Sequence, residues 1–161
     1  MKYLISTGCL LLALANTASA QSDDANPSDK LAKLVYGSID ENPTGSVDIG
    51  AFVEFGKSIF VSMDYDDSGS VNLKEFTDWD FGFNFIAANA GQEHAFRAAQ
   101  KILFSIWDHD GNGEIENEEY NKSMIWDFRR ADIDGDANLT REEFLSGYVI
   151  NIAYRAAITG N

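Results

Sequence analysis

Three twelve-residue segments of this chain share one pattern of oxygen-bearing side chains. They begin at Asp64, Asp108 and Asp132 and read DYDDSGSVNLKE, DHDGNGEIENEE and DIDGDANLTREE. Each has an oxygen side chain at positions 1, 3, 5 and 9, a branched aliphatic residue at position 8 and a glutamate at position 12. Oxygens at alternate positions converge on one point only if the backbone wraps around it. Each segment is therefore predicted to be a tight loop.

This pattern resembles the calcium loop of the EF-hand family, in particular the short-spaced paired hands of secreted bacterial members. The resemblance extends to most of the chain after residue 20. It implies an all-α fold of two paired helix-loop-helix units, with short two-stranded links between paired loops. It also implies about three bound Ca²⁺ ions, because Ca²⁺ takes roughly six to eight oxygen ligands and such a loop supplies them in order.

The resemblance assigns metal ligands residue by residue. In the first loop these are Asp64, Asp66, Ser68, Ser70 through its carbonyl, Asn72 through a water, and Glu75. In the second they are Asp108, Asp110, Asn112, Glu114 through its carbonyl, Glu116 and Glu119. In the third they are Asp132, Asp134, Asp136, Asn138 through its carbonyl, Thr140 and Glu143.

Position 6 distinguishes the third loop from the other two. Gly69 and Gly113 occupy this sharp turn in the first two loops, but the third has Ala137. Holding alanine in a left-handed conformation costs about 1–2 kcal/mol, and 1.4 kcal/mol corresponds to about ten-fold in affinity. We expect the third loop to bind, but more weakly.

A fourth, degenerate loop is predicted from Asp40 to Ala51. It fits the template at several positions, but Ala51 stands where the bidentate glutamate is required. We therefore assign it no metal and a structural role, in which Val47 pairs with Val71 between adjacent loops.

Loop spacing indicates an internal duplication. Asp40 and Asp64 are 24 residues apart, as are Asp108 and Asp132, so the helix that leaves one loop must enter the next. A shift of 68 residues superimposes the two halves. We predict one pair of hands in residues 28–90, with its first hand degenerate, and a second pair, both active, in residues 91–161.

Helices are predicted from apolar periodicity. Ser28 is expected to cap a first helix through Leu31, Leu34 and Val35, and a single helix is expected from Phe76 to Ala90, ended by Gly91. The other predicted buried faces are Phe52, Phe55, Gly56, Ile59, Phe60 and Met63; Phe96, Ala99, Leu103 and Trp107; Tyr120, Met124 and Phe128; and Phe144, Tyr148 and Ile152. Phe81 and Phe85 fall off the main face and are expected either between the lobes or on an exposed docking surface.

Residues 1–20 have the pattern of a secretory signal peptide. A lysine precedes an apolar run, and Ala18-Ser19-Ala20 fits the small-residue cleavage site. We therefore expect a periplasmic or secreted protein whose residues 21–27 form a flexible N-terminal segment. Cleavage removes Cys9, the only cysteine, so the mature chain is expected to have no disulfide.

Charge and residue types exclude several functions. Without Lys2, 11 basic residues face 26 acidic ones, so the formal charge is −15 and anionic partners are repelled. We expect no nucleic-acid binding and no membrane insertion after signal removal. His94 and His109 have no partner that catalysis requires, so we do not expect an enzyme.

Three roles for the calcium remain open. The first is a calcium buffer or a calcium-stabilised module, in which bound ions replace missing disulfides and folding depends on calcium. The second is a sensor that exposes an apolar surface to a protein partner, although only Met63 and Met124 follow the signal segment. The third is a dockerin-like module, which the full flanking helices and the glutamate at position 12 disfavour.

Overall fold

The computed structural model describes residues 26–39 and 45–160. Within them the chain is mostly helical, with two short antiparallel two-stranded sheets. In chain order the elements are α1 (Pro27–Ile39), β1 (Ser46–Asp48), α2 (Ile49–Met63), β2 (Ser70–Asn72), α3 (Leu73–Asp78), α4 (Phe83–Asn89), α5 (Glu93–Trp107), β3 (Glu114–Glu116), α6 (Asn117–Ala131), β4 (Asn138–Thr140), α7 (Arg141–Gly147) and α8 (Val149–Thr159). The predicted signal peptide and residues 21–25 lie outside the described residues.

Helices α2 and α6 form an antiparallel pair at the centre of the molecule. The rings of Phe52 and Phe128 lie 5.6 Å apart near one end, and those of Phe60 and Tyr120 lie 5.2 Å apart near the other. Between them, Gly56 contacts Met124 so closely that an added Cβ would lie 2.9 Å from Met124 Cγ. The buried faces predicted for α2, α5 and α6 are confirmed, with Phe55 and Ile59 partly buried.

The predicted pairing of Val47 with Val71 is wrong. Strand β1 pairs with β4, so that Val47 is opposite Leu139, and β2 pairs with β3, so that Val71 is opposite Ile115. The reason is the shared helix itself. The fifteen residues of α2 span about 22 Å, whereas paired strands lie about 4.8 Å apart. Loops at opposite ends of one helix therefore cannot pair with each other.

The elements recur at the 68-residue interval of the predicted internal duplication. Strands β1 and β2 and helix α2 recur 68 residues later as β3, β4 and α6, with identical lengths.

The predicted boundary at residue 90 does not separate two independent units of packing. Both sheets join strands from opposite sides of it, and the hydrophobic core is one cluster that extends from α1 to α8.

The single helix predicted from Phe76 to Ala90 is instead two helices, α3 and α4. The chain leaves the helical conformation at Trp79, and Gly82 has a positive φ of 95°. Asp80 Oδ1 accepts the Gly82 N–H at 2.7 Å, which stabilises the turn between the helices. Phe81 stacks on Trp79 at 5.1 Å, whereas Phe85 is exposed.

A similar break corrects the prediction for the C-terminal helix. Helix α7 ends at Gly147, Tyr148 is extended, and α8 begins at Val149. Buried Asn151 donates to the Phe144 carbonyl at 2.9 Å, in addition to the Tyr148 N–H at 3.3 Å. The break resets the periodicity, so Ile152 is exposed.

Helix α1 also differs from its prediction. Ser28 lies inside the first turn, because the Asn26 side chain accepts the Ser28 N–H at 3.0 Å and Pro27 occupies the first helical position. Leu34 is exposed, whereas Val35 and Tyr36 are buried. Across the described residues, no helix is both long and apolar enough to cross a membrane.

Candidate functional site

Carboxylates from the predicted loops lie together in three groups. Within each group, one oxygen from every member lies within 4.8 Å of the others. The groups are Asp64, Asp66 and Glu75; Asp108, Asp110 and Glu119; and Asp132, Asp134 and Asp136. Helix–loop–strand geometry thus brings together residues that are up to eleven positions apart in sequence.

The groups are divided unequally between the two ends of the α2–α6 pair. We call the end that carries β2 and β3 the double-loop end, because the loops from Asp64 and Asp108 both lie there. We call the end that carries β1 and β4 the single-loop end, because the Asp132 loop lies there beside the turn at Gly45. Residues 40–44 of the degenerate loop lie outside the described residues.

The Asp64 loop is organised by backbone N–H groups that donate inward. Ser68 N donates to Asp64 Oδ1 and Gly69 N to Asp64 Oδ2, both at 2.9 Å. Glu75 is 1% exposed, and its Oε2 accepts the Asn72 N–H at 2.9 Å. Glu75 Oε1 is buried without a hydrogen-bond partner. An anionic oxygen in that condition is costly, and a cation beside Asp64 would neutralise it.

The Asp108 loop has the same turn but a different arrangement of its glutamate. Gly113 N donates to Asp108 Oδ2 at 3.0 Å. Glu119 Oε2 accepts the Glu116 N–H at 3.0 Å, and Oε1 accepts N–H groups from His109 at 2.8 Å and Asp110 at 3.2 Å. Every oxygen of this glutamate therefore already has a protein donor.

The Asp132 loop contains the predicted strained turn. Ala137 has a φ of 64°, which confirms the left-handed conformation, and its N–H donates to Asp132 Oδ2 at 3.1 Å. Glu143 Oε1 accepts the Ile133 N–H at 3.0 Å, and Oε2 accepts the Thr140 N–H at 2.9 Å. Glu143 does not belong to the carboxylate group of this loop.

These hydrogen bonds change the acidity of two glutamates. Burial acts to raise the pKa of Glu119, but N–H donors from Glu116, Asp110 and His109 outweigh it and the pKa falls below 4.5. The Thr140 N–H and hydroxyl lower the pKa of Glu143 against the effect of burial. Both side chains therefore favour the folded state above about pH 4.5, and this contribution is lost as the pH falls through their lowered pKa values.

The other predicted ligands lie around the carboxylate groups rather than within them. At position 9, Asn72 and Thr140 cap the helices that leave their loops, each in a capping box, and Glu116 takes part in a third box. Side chains at position 5 organise the loop backbone: Ser68 Oγ donates to the Ser70 carbonyl, and Asn112 Oδ1 accepts from Glu114 N. Asp136 Oδ1, which also belongs to the third carboxylate group, accepts from Asn138 N.

One hydrogen bond joins the two loops at the double-loop end. Ser70 Oγ donates to Glu114 Oε2 at 2.7 Å, across the β2–β3 pair. Both residues occupy position 7 of their loops, where the resemblance implies that the backbone carbonyl faces the ion. This contact was not predicted from the sequence, because it depends on which strands pair.

Two residues near the loops were missed by sequence reasoning. Asp67 has a positive φ of 55°, at a position where the other two loops have glycine. The glycine at this position in the other two loops was the sequence signal for a positive φ. Asp127 is fully buried, accepts from Trp107 Nε1 at 3.1 Å and pairs with Arg130. The sequence signal for a buried Asp127 was a carboxylate on the apolar helix face beside Met124 and Phe128.

No family model matches this chain, and no curated protein matches it either.

Proposed function

We propose that this protein binds Ca²⁺ in the three loops that begin at Asp64, Asp108 and Asp132, and that the bound ions stabilise its fold. One observation carries the proposal: in all three loops, carboxylate oxygens lie within 4.8 Å of one another. Such groups repel one another unless a cation lies among them. Hard oxygen donors of this kind suit Ca²⁺ rather than a metal that prefers nitrogen or sulfur.

Three further observations support Ca²⁺ as the ion. The oxygen side chains recur in the order of an EF-hand loop, and position 6 has a positive φ in each loop, at Gly69, Gly113 and Ala137. The glutamate at position 12 also lies in the first turn of the helix that leaves each loop. An ion bound to this glutamate would therefore link the loop directly to the helix that follows it.

A stabilising role follows from the charge balance. The chain carries 26 acidic against 12 basic residues, and many of the acidic ones converge on the three loops. Binding an ion only in the folded state adds stability that rises with its concentration, by about 2.7 kcal/mol per site at a hundred times Kd. In a periplasmic or secreted setting, which we propose from residues 1–20, the ions would replace disulfides.

Thermal unfolding followed by circular dichroism tests this proposal. The purified protein should unfold at a higher temperature in excess Ca²⁺ than in a chelator. The matched control is the triple variant E75Q/E119Q/E143Q, which keeps the shape of each side chain but removes its charge. Its unfolding temperature should depend little on Ca²⁺. An equal response of both proteins, or no response of either, would contradict the proposal.

A second candidate function is a calcium sensor, which an apolar cleft favours. The cleft lies beside α2 and is lined in part by Phe55, Ile59, Trp79 and Phe81. A hydrophobic dye separates the two functions: dye fluorescence that rises with Ca²⁺ supports a sensor, and fluorescence that falls while helicity rises supports stabilisation.

A further inference from the structure

We propose that the Asp64 loop fills before the other two, because only its position-12 glutamate keeps an oxygen free for the ion. This inference rests on the proposed function. It reverses the order expected from charge alone, because the Asp108 loop carries more acidic residues.

All three glutamates use one oxygen in the same way. Oε2 of Glu75, Glu119 and Glu143 accepts the N–H of the residue at position 9, at 2.9–3.0 Å. This bond begins the helix that leaves the loop, and it is common to the three sites. It therefore does not distinguish them.

The second oxygen does distinguish them. Glu119 Oε1 accepts two backbone N–H groups, from His109 and Asp110, and Glu143 Oε1 accepts one, from Ile133. Glu75 Oε1 accepts none and is buried. A carboxylate oxygen has about two lone-pair sites, so backbone donors occupy both sites of Glu119 Oε1 and one of Glu143 Oε1, whereas both sites of Glu75 Oε1 are open to an ion.

Burial increases this difference. Asp64 is 9% exposed and Glu75 is 1% exposed, whereas Asp108 and Glu119 are only half-buried. Charges attract more strongly where water is excluded. The Asp64 group therefore gains more from an ion than the Asp108 group does. It also loses no backbone hydrogen bond from Glu75 Oε1 when the ion binds.

Stepwise addition of Ca²⁺ to the full protein, followed by amide NMR, tests the order. The N–H groups of Gly69, Gly113 and Ala137 each donate to the first aspartate of their own loop, so each reports one site. We expect the Gly69 signal to reach half its change at about ten-fold lower free Ca²⁺ than the others, equivalent to about 1.4 kcal/mol.

Two variants test whether Glu75 is the reason that the Gly69 signal changes first. E75Q should abolish the early phase, whereas the matched variant E119Q should leave it intact. Gly113 or Ala137 changing first, or with Gly69, would overturn the inference, as would an early phase that survives E75Q but not E119Q. If no amide responds to Ca²⁺, the proposed function itself fails.

Discussion

The two ends of the α2–α6 pair have the same architecture but different contents. Each end has a short antiparallel sheet with two buried aliphatic residues opposite each other, Val71 and Ile115 at one end and Val47 and Leu139 at the other. At the double-loop end, both strands follow loops that contain a carboxylate group. At the single-loop end, β4 does, whereas the loop before β1 has Ala51 at position 12 and its residues 40–44 lie outside the described part of the chain.

The two ends also differ in one aromatic residue, which is a tyrosine at the single-loop end and a phenylalanine at the other. Tyr36 packs on Phe144 at 5.4 Å at the single-loop end, and Phe104, 68 residues after Tyr36, packs on Phe76 at 5.7 Å at the other. The Tyr36 hydroxyl lies 2.9 Å from the Gly45 carbonyl and 3.1 Å from that of Leu139, and so joins the turn to β4. A side-chain hydroxyl thus joins the two segments at each end, that of Tyr36 here and that of Ser70, which donates to Glu114, at the double-loop end.

Removing the charge of both position-12 glutamates at the double-loop end should lower the unfolding free energy most. When the Ca²⁺ concentration is about a hundred times the Kd of each removed site, E75Q/E119Q should lose about 5 kcal/mol of unfolding free energy. E143Q should lose about half as much. Urea unfolding of the variants in excess Ca²⁺ measures both values. Equal losses would mean that the two ends do not differ in metal content.

Gly147→Ala should destabilise the single-loop end without involving calcium. An added Cβ would lie 2.7 Å from Ala131 Cα, which is backbone and cannot move aside. We expect a loss of about 1–3 kcal/mol, typical of overpacking. Urea unfolding in a chelator measures it. The matched control is Gly56→Ala, whose new Cβ meets the flexible Met124 side chain and should cost less.

Ala137→Gly should reduce the difference in Ca²⁺ affinity between the two ends. Glycine relieves the left-handed strain, about 1–2 kcal/mol, so the affinity of the Asp132 loop should rise by about ten-fold. Calcium titration followed by the position-137 amide measures the change. Unchanged affinity would show that the turn is not what limits this site.

Tyr36→Phe should have the smallest effect, and one confined to the single-loop end. Loss of the bonds to the Gly45 and Leu139 carbonyls should cost about 1 kcal/mol. Hydrogen exchange in a chelator should be faster at the β1–β4 amides and unchanged at β2–β3. Equal acceleration at both sheets would show that the hydroxyl does not act locally.

Much of this arrangement could be predicted from sequence, because it depends on local chemistry. The loops, the shared helices α2 and α6 and the capping boxes at Asn72 and Thr140 follow from side-chain type and spacing within about fifteen residues. The left-handed Ala137 followed from its place in the loop.

What could not be predicted depends on contacts between distant segments. The break at Trp79 lies within an unbroken apolar periodicity, and the break at Tyr148 directly follows Gly147, which lies against the distant residue Ala131. Strand pairing was mispredicted although the information was present: two loops joined by one fifteen-residue helix are about 22 Å apart.

Counting bound ions tests the central claim most directly. Equilibrium dialysis of the purified protein against Ca²⁺ should give three ions per chain, two in E143Q and one in E75Q/E119Q. No binding, or a count unchanged by these substitutions, would contradict the assignment of the three loops. A fourth ion would contradict the account of the loop that ends at Ala51.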